Sequence, residues 1–194
     1  MTPPALVVPS TDTTMASRSP TTTVANTAKG IAALLRSGRP EPQPASRPEF
    51  RVERILRLPD GFQDLAADAQ GDSQRILMVL QEDWEAGTMR FDGWGEALFA
   101  VHRGDALLGL GGLTRDPYAT GAAVGRVRRF YVLRSARGNG AGRALLEAVT
   151  AEAAHCGYPR LRVRAPASAF RFYEGCGFLR AVGEKGATHI RPLP

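Results

Sequence analysis

Hydrophobic and polar positions follow a regular period only after about residue 50, and that period changes along the chain. Alternation over residues 50–58 predicts a first strand, which the turn-forming residues 59–61 close. Helical spacing then predicts one helix over about 62–69 and a second over about 73–86, behind a polar cap at residues 72–73. Strands and helices in one short chain indicate a mixed α+β fold.

A second change of period lies in the centre of the chain. A hydrophobic strand ending at Leu133 breaks into a glycine-rich turn, and helical spacing resumes with Leu145, Ala148 and Val149. Residues 161–164 predict a further strand. A strand, a glycine-rich turn and a helix in this order are typical of phosphate-binding sites.

The first 48 residues show no sustained period. They are rich in Thr, Pro, Ser and Ala, so we expect residues 1–48 to form a disordered or mobile extension. Residues 49–194 have the length of one domain with a sizeable core.

The glycine-rich turn runs from Arg137 through Gly138, Asn139, Gly140 and Ala141 to Gly142. Glycine permits backbone conformations closed to other residues, and its missing side chain lets a ligand approach the amides. Amides at a helix N-terminus bind pyrophosphate. The alternative is a turn selected for its geometry alone.

Two common phosphate-binding loops do not fit this turn. A dinucleotide fingerprint requires a third glycine where Arg143 stands. A P-loop requires a lysine, and none lies between Lys29 and Lys185.

The spacing Arg137-x-x-Gly140-x-Gly142 resembles the Arg/Gln-x-x-Gly-x-Gly/Ala signature of the GNAT superfamily of N-acetyltransferases. Residues 169–178, which contain Tyr-x-x-x-Gly-Phe, resemble the short helix of that superfamily. Residues 95–101, 107–113 and 126–132 resemble its strands two to four, so the resemblance covers about residues 50–193. It implies a mixed, mostly antiparallel sheet that splays between strands four and five, with flanking helices.

The resemblance also implies acetyl-coenzyme A as the acetyl donor, without a metal. The pyrophosphate is expected on the amides of the loop, and the pantetheine arm beside strand four like an added strand. The residues assigned to the donor in this way are Phe130, Tyr131, Val132, Arg137, Gly138, Asn139, Gly140, Ala141, Gly142 and Arg143.

Tyr173 is the main catalytic candidate. It matches the tyrosine that protonates the coenzyme A thiolate in many superfamily members. A phenol with a pKa near ~10 is protonated at neutral pH, which suits a general acid. The alternative is a core tyrosine packed beside Phe172 and Phe178.

Two positions depart from the superfamily pattern. Many members have an asparagine where this chain has Pro166, and we expect Ser168 to cap the short helix instead. Many also have a glutamate on strand four, acting as the base, where this chain has Arg126. Glu96, at the start of strand two, and Asp116, beside the acceptor loop, are the replacement candidates, although either could be an ordinary solvated carboxylate.

The expected acceptor side has further candidates. Residues 87–95 are expected to form a wall of the acceptor site. Arg126 and Arg128 share one face of strand four, where they could hold a carboxylate of the acceptor or form structural ion pairs. We expect His189 to be structural rather than a base.

Net charge and cysteine content limit the partners. The net charge is +6, but the arginines of the domain cluster around the glycine-rich loop and lack the interleaved aromatics of single-strand binders, which argues against a nucleic-acid partner. Cys156 and Cys176 have no metal-binding spacing, and no apolar run approaches the ~18 residues of a membrane span. We therefore expect a reduced cytoplasmic protein with no structural metal and no membrane contact.

The predicted function is transfer of an acetyl group from acetyl-coenzyme A to a primary amine of a small molecule or a protein, by a monomer or a homodimer. The missing strand-four glutamate keeps open an alternative, a non-catalytic module that senses acyl-coenzyme A.

Overall fold

The computed structural model describes residues 50–120 and 123–194. The predicted extension, residues 1–48, lies outside the described residues. The strands are β1 (Arg51–Ile55), β2 (Ala97–Arg103), β3 (Ala106–Arg115), β4 (Gly125–Val132), β5 (Arg160–Val163), β6 (Leu179–Arg180) and β7 (His189–Pro192). The helices are α1 (Phe62–Gly71), α2 (Ile76–Glu85), α3 (Ala141–His155) and α4 (Phe170–Gly175), with 3₁₀ turns at Arg134–Ala136 and Ala167–Ala169.

The described strands form one sheet in the order β1-β2-β3-β4-β5-β7-β6. Neighbouring strands are antiparallel except for β4 and β5, which are parallel. That parallel contact is short, because only Gly125 pairs with Leu161 and Arg126 with Arg162. Beyond Arg126 the two strands diverge, so the expected α+β fold with a mixed sheet that splays between strands four and five is confirmed.

Two hydrophobic clusters cover the two faces of the sheet. One contains Leu145 and Val149 of α3 with Leu113 and Val127 of the sheet. The other contains apolar side chains of α1 and α2 together with Leu110. Burial of both faces fixes which residues of β4 point toward α3 and which point toward α1 and α2.

A bulge in β4 changes this alternation. Leu110 pairs with Tyr131 and Gly112 with Arg128, so Arg129 and Phe130 of β4 face the single residue Gly111 of β3. Arg129 adopts the left-handed region with a φ of 50°. As a result, Arg126, Arg128 and Tyr131 all lie on the face that α1 and α2 cover.

Asp116 joins β4 to β5 where their pairing ends. Its Oδ2 atom lies 3.1 Å from Nη1 of Arg126 and 3.1 Å from Nη1 of Arg162, and all three side chains are buried. Oδ1 accepts a hydrogen bond of 2.8 Å from the amide of Tyr118. The carboxylate is therefore fully engaged with structural partners.

Two helix starts differ from the sequence prediction. Ser73 has a φ of 56°, which interrupts the helical backbone, so α2 begins at Ile76 and Asp72 does not cap it. Ser168 lies within a 3₁₀ turn and makes no capping hydrogen bond to α4, so that expectation is wrong as well.

The close approach of Phe91 to β3 gives a stability prediction. A Cβ atom on Gly112 would lie within 3.0 Å of the fully buried Phe91 ring. We expect Gly112→Ala to lower the free energy of unfolding by about 1–3 kcal/mol, the usual range for overpacking, measured by urea denaturation.

Gly175→Ala is the control, because its added Cβ would meet only Nη2 of Arg143 at 4.0 Å. Equal stability of the two variants would contradict close packing of Phe91 on β3.

Candidate active site

A cleft opens where β4 and β5 diverge. It has a volume of about 770 Å³, which lies within the range of small-molecule sites. Its lining comes from the α1–α2 connection (Asp72, Gln74, Ile76), from β4 (Val127, Arg129, Phe130, Tyr131, Val132), from the glycine-rich loop and α3 (Arg137, Gly138, Gly142), and from β5 to α4 (Val163, Arg164, Ala165, Pro166, Ser168, Ala169, Phe172, Tyr173).

The glycine-rich loop closes one end of the cleft with exposed backbone. Gly138 and Gly140 have φ values of 78° and 99°, in the left-handed region that favours glycine. Gly140 is the N-cap of α3, and no side chain of the described residues caps that helix. A Cβ atom on Gly138 would meet nothing within 4 Å. The first amides of α3 therefore have no side-chain partner among these residues.

Two carboxylates of α1 and its C-terminus hold this loop against the end of β4. Asp68 accepts hydrogen bonds from the Tyr131 hydroxyl at 2.8 Å, and from the amide and Nε of Arg134 at 3.0 Å each. Asp72 pairs with Arg137 at 2.7 Å. Arg137 also donates from Nε to the Val132 carbonyl at 3.1 Å and lies over the Tyr131 ring.

These contacts fix the protonation of Asp68 and Tyr131. Burial acts to raise the pKa of Asp68, but the hydrogen bonds from Arg134 and Tyr131 outweigh it and lower the pKa below its ordinary value. Burial, with the hydrogen bond to Asp68, raises the pKa of Tyr131 to about 12. The Tyr131 hydroxyl therefore stays protonated and is committed to Asp68.

Tyr173 lies on the wall of the cleft opposite β4. Its ring is buried, 5.1 Å from the Phe172 centroid and 5.4 Å from that of Phe178, both edge to face. Among the described residues, no protein group forms a hydrogen bond with its hydroxyl. Burial raises the pKa of Tyr173 well above its ordinary value, so the phenol is protonated at neutral pH. The position combines a core-packed ring with an unengaged hydroxyl.

The two carboxylates considered as bases do not line the cleft. Asp116 is bound by Arg126 and Arg162, as described above. Glu96 is half-buried beside Gly93 in the turn before β2, and its carbonyl accepts a hydrogen bond from Arg54. The structure does not bring either carboxylate together with Tyr173.

The residues assigned to the donor fall into two groups. Six of them line the cleft: Phe130, Tyr131, Val132, Arg137, Gly138 and Gly142. The other four belong to the glycine-rich loop and the start of α3 but do not line the cleft. Asn139 and Gly140 are exposed, the Ala141 side chain packs in the core, and Arg143 donates to the Gly175 carbonyl at 3.0 Å.

His189 is completely buried and does not line the cleft. Its Nδ1 lies 3.0 Å from the Thr188 hydroxyl, and the Phe170 ring packs edge to face at 4.8 Å. Burial lowers the pKa of His189, so the imidazole is neutral at pH 7. In residues 50–120 and 123–194, no cluster of His, Cys, Asp and Glu could hold a metal ion, and no helix is long and apolar enough to cross a membrane.

Comparison with known proteins agrees with this geometry. Residues 73–194 match the family model described as an acetyltransferase (GNAT) domain. A crystal structure from Exiguobacterium sp. 255-15, assigned as an acetyltransferase, is 31% identical, with a TM-score of 0.63. The match covers 74% of this chain and 93% of that chain. No curated protein matches the chain significantly.

More distant structures show the same fold. An acetyltransferase from Streptococcus agalactiae 2603 is 17% identical with a TM-score of 0.58, over 74% of this chain and 98% of that chain. A GNAT family acetyltransferase from Staphylococcus aureus MU50 is 16% identical with a TM-score of 0.57, over 74% of this chain and all of that chain. The family match, together with the splayed sheet and the glycine-rich loop, shows that the chain belongs to the GNAT acetyltransferase family.

Proposed function

We propose that the protein transfers an acetyl group from acetyl-coenzyme A to a primary amine of a small molecule or a protein. The observation that carries this proposal is the cleft itself. Amides without a side-chain cap lie at one end of it, and a buried tyrosine whose hydroxyl bonds to no described residue lies on its wall. One cleft thus offers a pyrophosphate site and a proton donor.

The donor site fits the residues present. The pyrophosphate would be held by the first amides of α3, with Arg164 at the cleft wall supplying positive charge. The pantetheine arm would lie in the splay beside Phe130, Tyr131 and Val132, where β5 no longer pairs with β4. Bound there, acetyl-coenzyme A supplies the activated acetyl group.

Tyr173 is proposed as the general acid. The amine nitrogen forms a bond to the acetyl carbon, the bond from that carbon to sulfur breaks, and the sulfur leaves as a thiolate. Tyr173 donates its proton to the thiolate, and the proton lost by the amine passes to solvent. A tyrosine that stays protonated at neutral pH suits the donor role better than the role of a base.

The amine is proposed to react without a carboxylate base from this chain. Neither Glu96 nor Asp116 lines the cleft, and Asp72, which does, is paired with Arg137. The reactive amine is therefore expected to enter the cleft in its neutral form, after losing its proton to solvent. Asp116 is accordingly proposed to position β4 against β5 rather than to take a proton.

The same observation supports a second candidate, a non-catalytic sensor of acyl-coenzyme A. Among the described residues, no unpaired carboxylate lines the cleft. Both candidates require coenzyme A binding, and only the enzyme produces free thiol from acetyl-coenzyme A with pooled amines. Mass analysis of whichever amine gains an acetyl group then identifies the acceptor.

Binding of acetyl-coenzyme A is expected to raise the melting temperature, because a ligand bound only by the native state stabilises it. Gly140→Val should abolish this increase, since valine cannot easily adopt a φ of 99° and the N-terminal amides of α3 would turn away. Differential scanning fluorimetry with and without the ligand measures the effect.

Gly183→Val is the control, because Gly183 has a φ of 79° with open space around it and lies outside the cleft lining. Both variants carry backbone strain, but only Gly183→Val should keep the ligand-dependent shift. If acetyl-coenzyme A raised the melting temperature of Gly140→Val as much as that of the wild type, the glycine-rich loop would not be part of the donor site.

Replacing Tyr173 with phenylalanine is expected to slow acetyl transfer by about 10²- to 10⁴-fold while acetyl-coenzyme A still binds. The substitution removes only a hydroxyl that forms no hydrogen bond with any described residue, so stability should change little. Single-turnover kinetics are required, because slow product release would hide a chemical defect.

Tyr158→Phe is the matched control, since that buried hydroxyl donates to the Gly95 carbonyl at 3.0 Å outside the cleft. This variant should lose about 1 kcal/mol of stability and keep the wild-type rate. A wild-type rate in Tyr173→Phe would leave Tyr173 with a packing role only.

A further inference from the structure

Strands β4 and β5 contain five arginines, and four of them are ion-paired. Arg126 and Arg162 share Asp116, Arg160 and Arg162 both contact Glu184, and Arg129 pairs with Asp83 of α2. Three carboxylates thus face five guanidinium groups. Arg128 is the remaining one, and among the described residues it has no ion pair and no side-chain hydrogen bond.

Arg128 is held in a partly desolvated position. Its Nε is buried without a hydrogen-bond partner, while the residue as a whole is half-buried. Burial, and then the charges of Arg126 and Arg129, lower its pKa, although Tyr118 and Asp116 oppose them. A guanidinium group without a partner in such a place reduces stability, because burying an unpaired charge is unfavourable.

Arg128 lies on the face of the sheet that α1 and α2 cover, which is the side where the sequence predicts the acceptor site. Arg128 pairs with Gly112 of β3, over which Phe91 of the α2–β2 connection packs. Next along the same face, Tyr118 lies under the guanidinium group of Arg126, at 5.1 Å from the ring centroid. Arg128 does not itself line the cleft, but Val127 and Arg129, its neighbours along the chain, both do, so Arg128 lies at the edge of the cleft.

The other arginines of this region either have partners within the protein or are exposed to water. Arg126 also donates to the Gly186 carbonyl at 2.9 Å and Arg162 to the Lys185 carbonyl at 2.6 Å. Arg164 lines the cleft but is exposed, so water compensates its charge. Arg191 is also half-buried without an ion pair among the described residues, but it donates to the Cys176 carbonyl at 3.0 Å. Among the half-buried arginines of this part of the chain, only Arg128 has neither an ion pair nor a side-chain hydrogen bond.

We propose that Arg128 binds an anionic group of the acceptor, so that the preferred acceptors are small primary amines bearing a carboxylate or a phosphate. This proposal rests on the acetyltransferase function proposed above. The planar guanidinium group matches either anion with two parallel hydrogen bonds, and binding would supply the missing counter-charge. Arg128 is thus a specificity-determining residue with no part in the transfer of the acetyl group.

Matched acceptor pairs test this directly. An amino acid is compared with its amide, and a phosphorylated amino sugar with the unphosphorylated sugar, at saturating acetyl-coenzyme A. In the wild type, the anionic member of at least one pair should have the higher kcat/KM by roughly tenfold or more, as for a hydrogen bond to a charged group. The pair that shows the preference identifies the anion as carboxylate or phosphate.

Arg128→Gln should lower kcat/KM for the preferred anionic acceptor by roughly 10- to 100-fold, mainly through KM, and should change the neutral partner little. Arg128→Lys keeps the positive charge but loses the planar group that makes two parallel hydrogen bonds. Its kcat/KM for the anionic acceptor should therefore lie between those of the wild type and Arg128→Gln. Arg57→Gln, an exposed site outside the cleft, is the control and should match the wild type.

Stability separates this role from a structural one. The melting temperature of Arg128→Gln should be no lower than that of the wild type, because the substitution removes an uncompensated charge. If Arg128 were structural, the same substitution would lower the melting temperature. Equal kcat/KM for charged and neutral acceptors in the wild type, or equal losses for both in Arg128→Gln, would overturn the proposal. Arg128→Lys provides the same comparison if the glutamine variant does not fold.

A binding measurement keeps the anion site testable if no amine is acetylated, which would be a failure of the proposed enzyme. With coenzyme A present to occupy the phosphate-binding loop, inorganic phosphate or acetate should raise the melting temperature of the wild type but not of Arg128→Gln. The same response in both proteins, or none in the wild type, would exclude an anion site at Arg128.

Discussion

The contact on which the site depends is the buried carboxylate of Asp116 between Arg126 of β4 and Arg162 of β5. It lies where the two parallel strands share their only residue pairs in the described sheet. Removing one member of such a buried group typically costs about 3–5 kcal/mol, because a charge is left without its partner. The strands are joined firmly at one end, and they can separate beyond it without loss of the fold.

The divergence of β4 and β5 opens the cleft and leaves one edge of β4 accessible. Once β5 has diverged, no strand of the described sheet lies beside the end of β4 on that side, and a ligand can lie in its place. Asp68 and Asp72 then fix the loop after β4, through Tyr131, Arg134 and Arg137. The amides at the start of α3 are thereby presented at the end of the same cleft.

Local patterns in the sequence predicted the first strand, the two helices after it, the strand at residues 161–164 and the glycine-rich loop. Strands two to four and the short helix with Tyr173 followed from the resemblance to the GNAT superfamily. Neither the patterns nor the resemblance could predict partners distant in the chain. Asp68 and Asp72 carry no motif, and their pairing with Arg134 and Arg137 depends on how α1 packs against β4. Likewise, Asp116 was a candidate base by its place in the loop, but two arginines from separate strands engage its carboxylate.

The two arginines on one face of β4 also show that the sequence pattern cannot predict partners distant in the chain. Arg126 and Arg128 were equivalent in the sequence, since both lie on one face of the strand. Only the folded structure distinguishes them, because it pairs Arg126 with Asp116 and leaves Arg128 without a carboxylate among the described residues. The start of α2 was misplaced for a related reason, since the left-handed backbone at Ser73 has no signature in the pattern of apolar residues.

A crystal structure of the protein with coenzyme A bound tests the central claim, that the splay between β4 and β5 is the donor site. We expect the pyrophosphate on the amides of residues 138–143, the pantetheine arm beside Phe130–Val132, and the sulfur within reach of the Tyr173 hydroxyl. Coenzyme A bound outside this cleft, or a sulfur far from Tyr173 with β4 and β5 closed together, would contradict it.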